Sequence, residues 1–362
     1  MNYTAESLSR FCALTFLILS GFLITHPSPL HAEPYLALRT GFKCSQCHVN
    51  ISGGGKRTEF GNIYADQYLA AKFIKSPNTG LFSPKLSEYI SFGANLRFSN
   101  TLLFGYADTT AGDVPDEVFM DIAEGNIYLE FNIIPEILTL YVDQLVSPEP
   151  GNRESFGLIQ GLPLKSYFKF GKMLLPYGLR LWDDAAFIRE ETGFTYSDPD
   201  LAVEMGFEPG DLSVISAITL NQISGVASLV MEYWRIGISW QKSTETSKSR
   251  ILGSFVGFHA GRFTLLGEVD QFNVFSIKQY AYLAELNFLL IRGHNFKISY
   301  NLFDRNSDIE LSRDGQERIR FGLEIFPVQH IQFSIFYNVN RFIPQNRQLN
   351  QNKLVAELHV FF

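Results

Sequence analysis

The chain has 362 residues, 46% of them hydrophobic and 19% charged, with a formal net charge of −7. That balance provides no basic stripe for nucleic acid, and no nucleophile–base pair, phosphate loop or paired carboxylates for hydrolysis stand out. No internal stretch is apolar over the roughly 20 residues that a helical membrane span needs.

A weakly basic start ending in Arg10, an apolar run from Phe11 to Ile24 and a small residue at Ala32 predict a secretory signal peptide over residues 1–32. Cleavage there would remove Cys12 and leave Cys44 and Cys47.

Residues 33–85 read as a small lobe around Cys44-Ser45-Gln46-Cys47-His48. Two thiols at this spacing can each add to one vinyl group of a haem, and the next His can reach the iron. A disulfide would leave His48 unexplained. A thioredoxin-like pair wants a βαβ context. A zinc site wants two more ligands, and residues 49–86 contain neither Cys nor His. One covalent haem c is therefore the expected cofactor, with Cys44 and Cys47 as thioether anchors and His48 as axial ligand. Ser52 to Arg57 reads as a loop. Phe60, Ile63, Tyr64, Gln67, Tyr68 and Ala71 then recur at helical spacing, predicting a short helix with that face on the haem.

From residue 86 to 362 the pattern changes to period two. Ile90, Phe92, Ala94, Leu96 and Phe98 alternate with Ser91, Asn95, Arg97 and Ser99, and similar runs recur to the C-terminal Phe362. The polar faces carry Glu, Asp, Arg and Lys, as a wet lumen would. A closed barrel satisfies every backbone group in lipid. The expected fold is all-β: a transmembrane antiparallel outer-membrane β-barrel of about 16 strands with a small N-terminal helical c-type haem lobe. Short turns are expected at Asn132 to Glu136, Pro209 to Asp211, Trp234 to Arg235, Ala260 to Arg262, Ile291 to Asn295 and Pro327 to His330. Even parity needs one more rising strand between Met173 and Leu201, after a turn at Pro176-Tyr177-Gly178.

No second iron ligand lies in the lobe. His259, His294, His330 and His359, with Met173 and Met231, are expected near the periplasmic ends of strands, while Met120 and Met205 complete the candidates. His359 points inward by alternation and is the candidate distal ligand. Acidic residues gather in the expected outer loops: Asp108, Asp113, Asp116 and Glu117, then Asp183, Asp184, Glu190 and Glu191. Carboxylates suit hard divalent cations, ferrous iron among them; solvated loops or cation bridges to lipopolysaccharide account for them equally.

The stretch "YLALRTGFKCSQCHVNISGGGKRTEFG" resembles the haem segment of a family that fuses one c-type haem to an outer-membrane porin, relatives of the outer-membrane iron oxidases of iron-oxidising bacteria. The shared residues are Tyr35, Ala37, Arg39-Thr40-Gly41, Cys44, Cys47, His48 and Phe60-Gly61; Gly53-Gly54-Gly55 departs from the iron-oxidase spacing. "KFGKMLLPYGLRL" resembles a strand pair of anion-selective porins. The resemblance implies a protein of the Gram-negative outer membrane that contacts lipid. It would pass electrons from an extracellular donor, ferrous iron among the candidates, to a periplasmic cytochrome or other carrier. The rival is a diffusion porin whose lobe serves as plug, sensor or docking element. A barrel that sheathes other cytochromes is a third reading.

Overall fold

The computed structural model describes residues 33–73, 84–108, 112–244, 248–342 and 350–362. The expected signal peptide, residues 1–32, lies outside the described residues.

The strands are β1 (Ile90–Leu103), β2 (Tyr106–Asp108), β3 (Gly112–Val114), β4 (Glu117–Ile134), β5 (Leu138–Ser147), β6 (Gly151–Leu162), β7 (Ser166–Leu174), β8 (Pro199–Phe207), β9 (Leu212–Ile218), β10 (Gln222–Val230), β11 (Trp234–Ser243), β12 (Lys248–Ala260), β13 (Phe263–Val274), β14 (Ile277–Ile291), β15 (His294–Asp304), β16 (Gln316–Ile325), β17 (Ile331–Phe342) and β18 (Lys353–Phe361). All but the β2–β3 hairpin join one closed sheet of 16 antiparallel strands, each bonded to its chain neighbours, with β18 returning to β1. The seam is sealed at the C-terminus, where Phe362 and Ala94 exchange backbone hydrogen bonds of 2.7 and 2.8 Å.

Alternation explains the closure. On β8, Leu201, Val203 and Met205 face outward while Ala202, Glu204 and Gly206 face inward; Val203 is 41% exposed and Glu204 0%. On β1, Ser91, Asn95 and Arg97 are buried inside and Phe92 and Leu96 lie outside. Apolar-out, polar-in is the reverse of a soluble sandwich and the pattern of a barrel in lipid. The register shifts between Arg97 and Phe98, a bulge that changes which residues face in.

Both termini of the barrel and the turns between 134 and 138, 162 and 166, and 291 and 294 share one rim, here the lower rim. The predicted short turns fall on it within a few residues. The predicted strand between Met173 and Leu201 does not exist. β7 and β8 pair directly, from Tyr167↔Gly206 to Leu174↔Pro199, so residues 175–198 connect neighbours. The missed reversal is at Pro163–Lys165. Met173 accordingly sits at the upper end of β7, not at the lower rim. The apolar residues that suggested a strand, Leu175, Leu179, Leu181, Phe187 and Ile188, are buried inside the barrel. Three contacts hold this loop across the lumen: Leu179 N–H to Glu268 (2.7 Å), Tyr177 OH to Asp270 (2.7 Å) and Asp183 to Arg318 (2.7 Å).

Residues 33–58 also lie within the barrel and touch its wall on many sides, and residues 59–73 close against the lower rim, where Arg292 donates to Ala70 O at 2.6 Å and Tyr68 and Phe73 are exposed. Tyr35 donates to Glu324 on β16 (2.7 Å), Arg39 to Asn295 on β15 (3.0 Å), Asn50 to both oxygens of Glu154 on β6 (3.0 Å each), and Lys56 to Glu130 on β4 (2.8 Å). Lys169 on β7, with no exposed surface, bridges Glu204 (3.0 Å), Asn50 (3.1 Å) and Ser52 (2.9 Å). Lys297 sits among Glu33 (3.4 Å), Glu285 (3.7 Å) and Glu324 (3.7 Å). Such buried pairs add little net stability over an apolar core, but stripping one partner costs about 3–5 kcal/mol. They therefore fix where the segment sits.

Candidate functional site

A helix, Pro34–Thr40, leads into the short turn Cys44–Cys47, and His48 leaves it in extended conformation. The backbone then reverses and returns alongside itself, with Val49 N–H bonded to Lys56 O at 3.0 Å. The reversal is the glycine run, with φ of +100°, +84° and +65° at Gly53, Gly54 and Gly55. Side chains other than glycine are strained at such angles. At Gly55 there is also no room, because a Cβ would collide with the Tyr141 hydroxyl.

The turn has a chemical result. It brings the Gly55 carbonyl to 3.3 Å from His48 Nδ1, so Nδ1 carries the proton and donates it. The other ring nitrogen, Nε2, keeps its lone pair. It is buried and has no hydrogen-bond partner among the described residues. A carbonyl-tethered imidazole with a free Nε2 is the arrangement of a metal-ligating histidine. Burial first, and then the Arg57 charge, push the His48 pKa down to about 3, so the ring is neutral at ordinary pH.

Cys44 and Cys47 are half-buried and not joined in a disulfide. Burial raises the Cys47 thiol, whereas a redox-exchange cysteine is activated by a lowered pKa. Cys44, Cys47 and His48 line a single cavity of about 1160 Å³, counting its open mouth. The N-terminal segment gives it Leu36, Phe42 and Tyr64; the inward loop gives Pro176, Tyr177, Leu179 and Tyr196; the wall gives Ile215 and Val226. The loop is fixed to the site by Arg180, which donates to Gly53 O at 3.0 Å and to the carbonyls of Leu174 and Leu175 at 3.2 and 3.0 Å.

Sequence reasoning named Cys44, Cys47 and His48, and the fold brings these three together. It does not bring His359 to them. That ring faces inward as expected, but Nδ1 is 3.0 Å from Gln332 and Nε2 is 2.6 Å from Asn95, and it stacks on Phe361. His359 has no share in the cavity, and neither does any other His or Met among the described residues apart from His48. Met120 and Met205 point outward, at 59% and 58% exposure.

The helix after the motif forms over Glu59–Tyr64, capped by Thr58, and widens into a π-type turn at Ala65–Leu69, closed by Ala70 N–H to Ala65 O at 3.0 Å. Its predicted face is largely wrong. Phe60 and Tyr68 are exposed, and Gly61, Asn62, Ala65 and Leu69 are buried instead. Gly61 sets the orientation, since a Cβ there would overlap the Cys47 carbonyl. The outer-loop carboxylates also need correcting. Asp183 lies within the lumen on Arg318 and Arg320, and Asp184 holds Arg189. No group of three His, Cys, Asp or Glu side chains among the described residues is placed to hold a metal ion. Gly55, Arg57, Tyr177, Arg180 and Tyr196 went unrecognised in the sequence; only the unbroken glycine triplet after the motif hinted at the first.

A second buried imidazole, His330, lies in the lower-rim turn, its pKa pushed down to about 2 mainly by burial. An undocked histidine takes up a proton below about pH 6.5, while His330 in place does not, so His330 weakens docking of the N-terminal segment as pH falls below that value. Glu33, its carboxyl raised to about 7 mainly by burial, acts in the opposite direction. His330→Gln should therefore lower the ratio of the proteolysis rate of residues 33–73 at pH 4 to that at pH 7 by about tenfold, about 1.4 kcal/mol.

A closed, even-numbered antiparallel barrel with an apolar exterior, a charged interior and an inward-folded loop has the fold of an outer-membrane porin. Comparison with known proteins agrees at the level of fold. OmpT of Vibrio cholerae with its loop L8 deleted is 10% identical, with a TM-score of 0.57 over 75% of this chain and 99% of that one. An anion-selective porin from Comamonas acidovorans is 9% identical, with a TM-score of 0.57 over 75% and 99%. Salmonella typhi OmpF, in complex with daunomycin, is 9% identical, with a TM-score of 0.55 over 75% and 97%. No protein-family model and no curated protein matches the chain.

Proposed function

We propose that this chain is an electron-transfer protein of the outer membrane, a porin-type barrel whose N-terminal segment carries one covalent c-type haem inside the lumen. The observation that carries the proposal is the meeting of Cys44, Cys47 and the unpartnered His48 Nε2 at one cavity lined by apolar side chains of the N-terminal segment, the inward loop and the wall. The residues suit the group. Two uncrosslinked thiols are available as thioether anchors, and Gly55 holds the imidazole in the tautomer that an iron needs. When bound, the haem supplies a one-electron iron couple. Leu36, Phe42, Ile215 and Val226 would exclude water from it, and Arg180 would keep the inward loop closed over the site. With an even strand count, both ends of the barrel face the periplasm, so the lower rim is the side on which a periplasmic cytochrome or other carrier would meet the site. The donor would approach from the upper rim, ferrous iron being the first to test.

The alternative is a diffusion porin, favoured by the likeness to an anion-selective porin. Against it stands a lumen crossed by residues 33–58 and 175–198. One experiment decides. The detergent-purified protein should retain a haem-stained band after denaturation and show reduced and oxidised haem spectra. In liposomes it should transfer electrons from external ferrous iron or dithionite to a trapped acceptor while passing few ions. A missing haem band, or ready ion flow with no electron transfer, would overturn the proposal in favour of the porin.

A further inference from the structure

The charges around the cavity point to a second contact. The other deeply buried cations of the lumen have carboxylate partners: Lys56 has Glu130, Arg153 has Asp143 and Glu124, Lys169 has Glu204, and Arg318 has Asp183. Arg57 is different. It is 5% exposed and lines the cavity with Cys47 and His48. Its Nη1 reaches the Gly61 carbonyl at 3.4 Å, the Phe361 ring lies 5.8 Å away, and Nε has no partner among the described residues. No Asp or Glu pairs with it among the described residues. Its ionisable neighbours are Cys47 and Tyr64, both made harder to ionise by burial, and His48 and His330, both kept neutral chiefly by burial, so none supplies a negative charge.

A guanidinium shielded from water without a counter-ion costs several kcal/mol. A missing anion is the simplest way to relieve that cost, and the anion must lie at the cavity edge where Arg57 is. The thiols cannot supply it, since thioether formation leaves both sulfurs neutral. The negatively charged substituents of a haem are its propionate carboxylates, and the planar guanidinium fork matches a carboxylate in a bidentate way. We infer that Arg57 is the counter-ion of a haem propionate, which rests on the haem reading above. Its charge also acts on the iron: a nearby cation disfavours the ferric state, so Arg57 raises the reduction potential.

The test uses the full-length protein with Arg57→Leu and Arg57→Lys. Both variants should keep the haem-stained band, because Cys44 and Cys47 are untouched. In Arg57→Leu the midpoint potential should fall by about one tenfold step in the redox equilibrium constant, about 59 mV for a one-electron couple. The propionate bending bands in the resonance Raman spectrum should shift. Arg57→Lys should hold the potential near the wild-type value but still shift the bands, since a point charge replaces a fork; this variant carries the test if Arg57→Leu does not fold. Unchanged potential and unchanged bands in a haem-loaded variant would overturn the assignment alone. A wild-type potential that follows added phosphate or chloride would also overturn it, by placing a free anion on Arg57. Absence of the haem band from wild-type protein would overturn the preceding reading and this one together.

Discussion

Serine at both Cys44 and Cys47 should abolish the haem-stained band and lower electron transfer in liposomes by at least about a hundredfold, while the barrel still folds. The reasoning is local. A hydroxyl is close in size to a thiol but does not form the thioether that attaches a c-type haem. The exchange replaces each sulfur by a smaller oxygen and so adds no crowding. The contacts that seat the N-terminal segment run through Tyr35, Arg39, Asn50 and Lys56, none of which involves either sulfur. Heat-modifiable migration on a gel should therefore match wild type. His48→Gln is the complementary variant. It should keep the stained band and change the absorption spectrum, because it removes the iron's protein ligand and leaves the anchors. A band that survives both serines would remove the thioether reading.

Much of the barrel was legible because its cause is local. Each strand must show lipid one face and the lumen the other, so Val203 beside Glu204 or Leu96 beside Arg97 carries the information within two residues. The Cys-x-x-Cys-His motif is legible for the same reason. What escaped depends on distant partners. Residues 175–198 have enough Leu and Phe to read as a strand, and only the direct pairing of β7 with β8 shows that these side chains bury in the lumen instead of facing lipid. His359 did point inward, yet its pairing with Asn95 and Gln332 is set by the β1–β18 seam and by β17. The isolation of Arg57 is the absence of a carboxylate partner among the described residues of strands distant in sequence. A pattern within one strand cannot record that.

Deleting residues 33–73 should turn the molecule into a conducting channel, with single-channel conductance at least about tenfold above that of the whole chain and with electron transfer lost. A barrel of 16 strands encloses a water-wide interior, so the conductance depends on what fills it. The wall should tolerate the loss. Lys169 keeps Glu204, and Lys297 keeps Glu285 and Glu324. Glu130 and Glu154 lose Lys56 and Asn50, but they lose them to water entering the same space, which solvates a carboxylate better than the protein did. The inward loop stays tied to Glu268, Asp270 and Arg318, so the opened channel should be narrowed on that side and sensitive to Asp183→Asn, which cuts the tie to Arg318. If the whole chain already conducts like the shortened one, the N-terminal segment is not a plug. The buried pairs that hold it would then have to open in the membrane, and the diffusion-porin reading would take precedence.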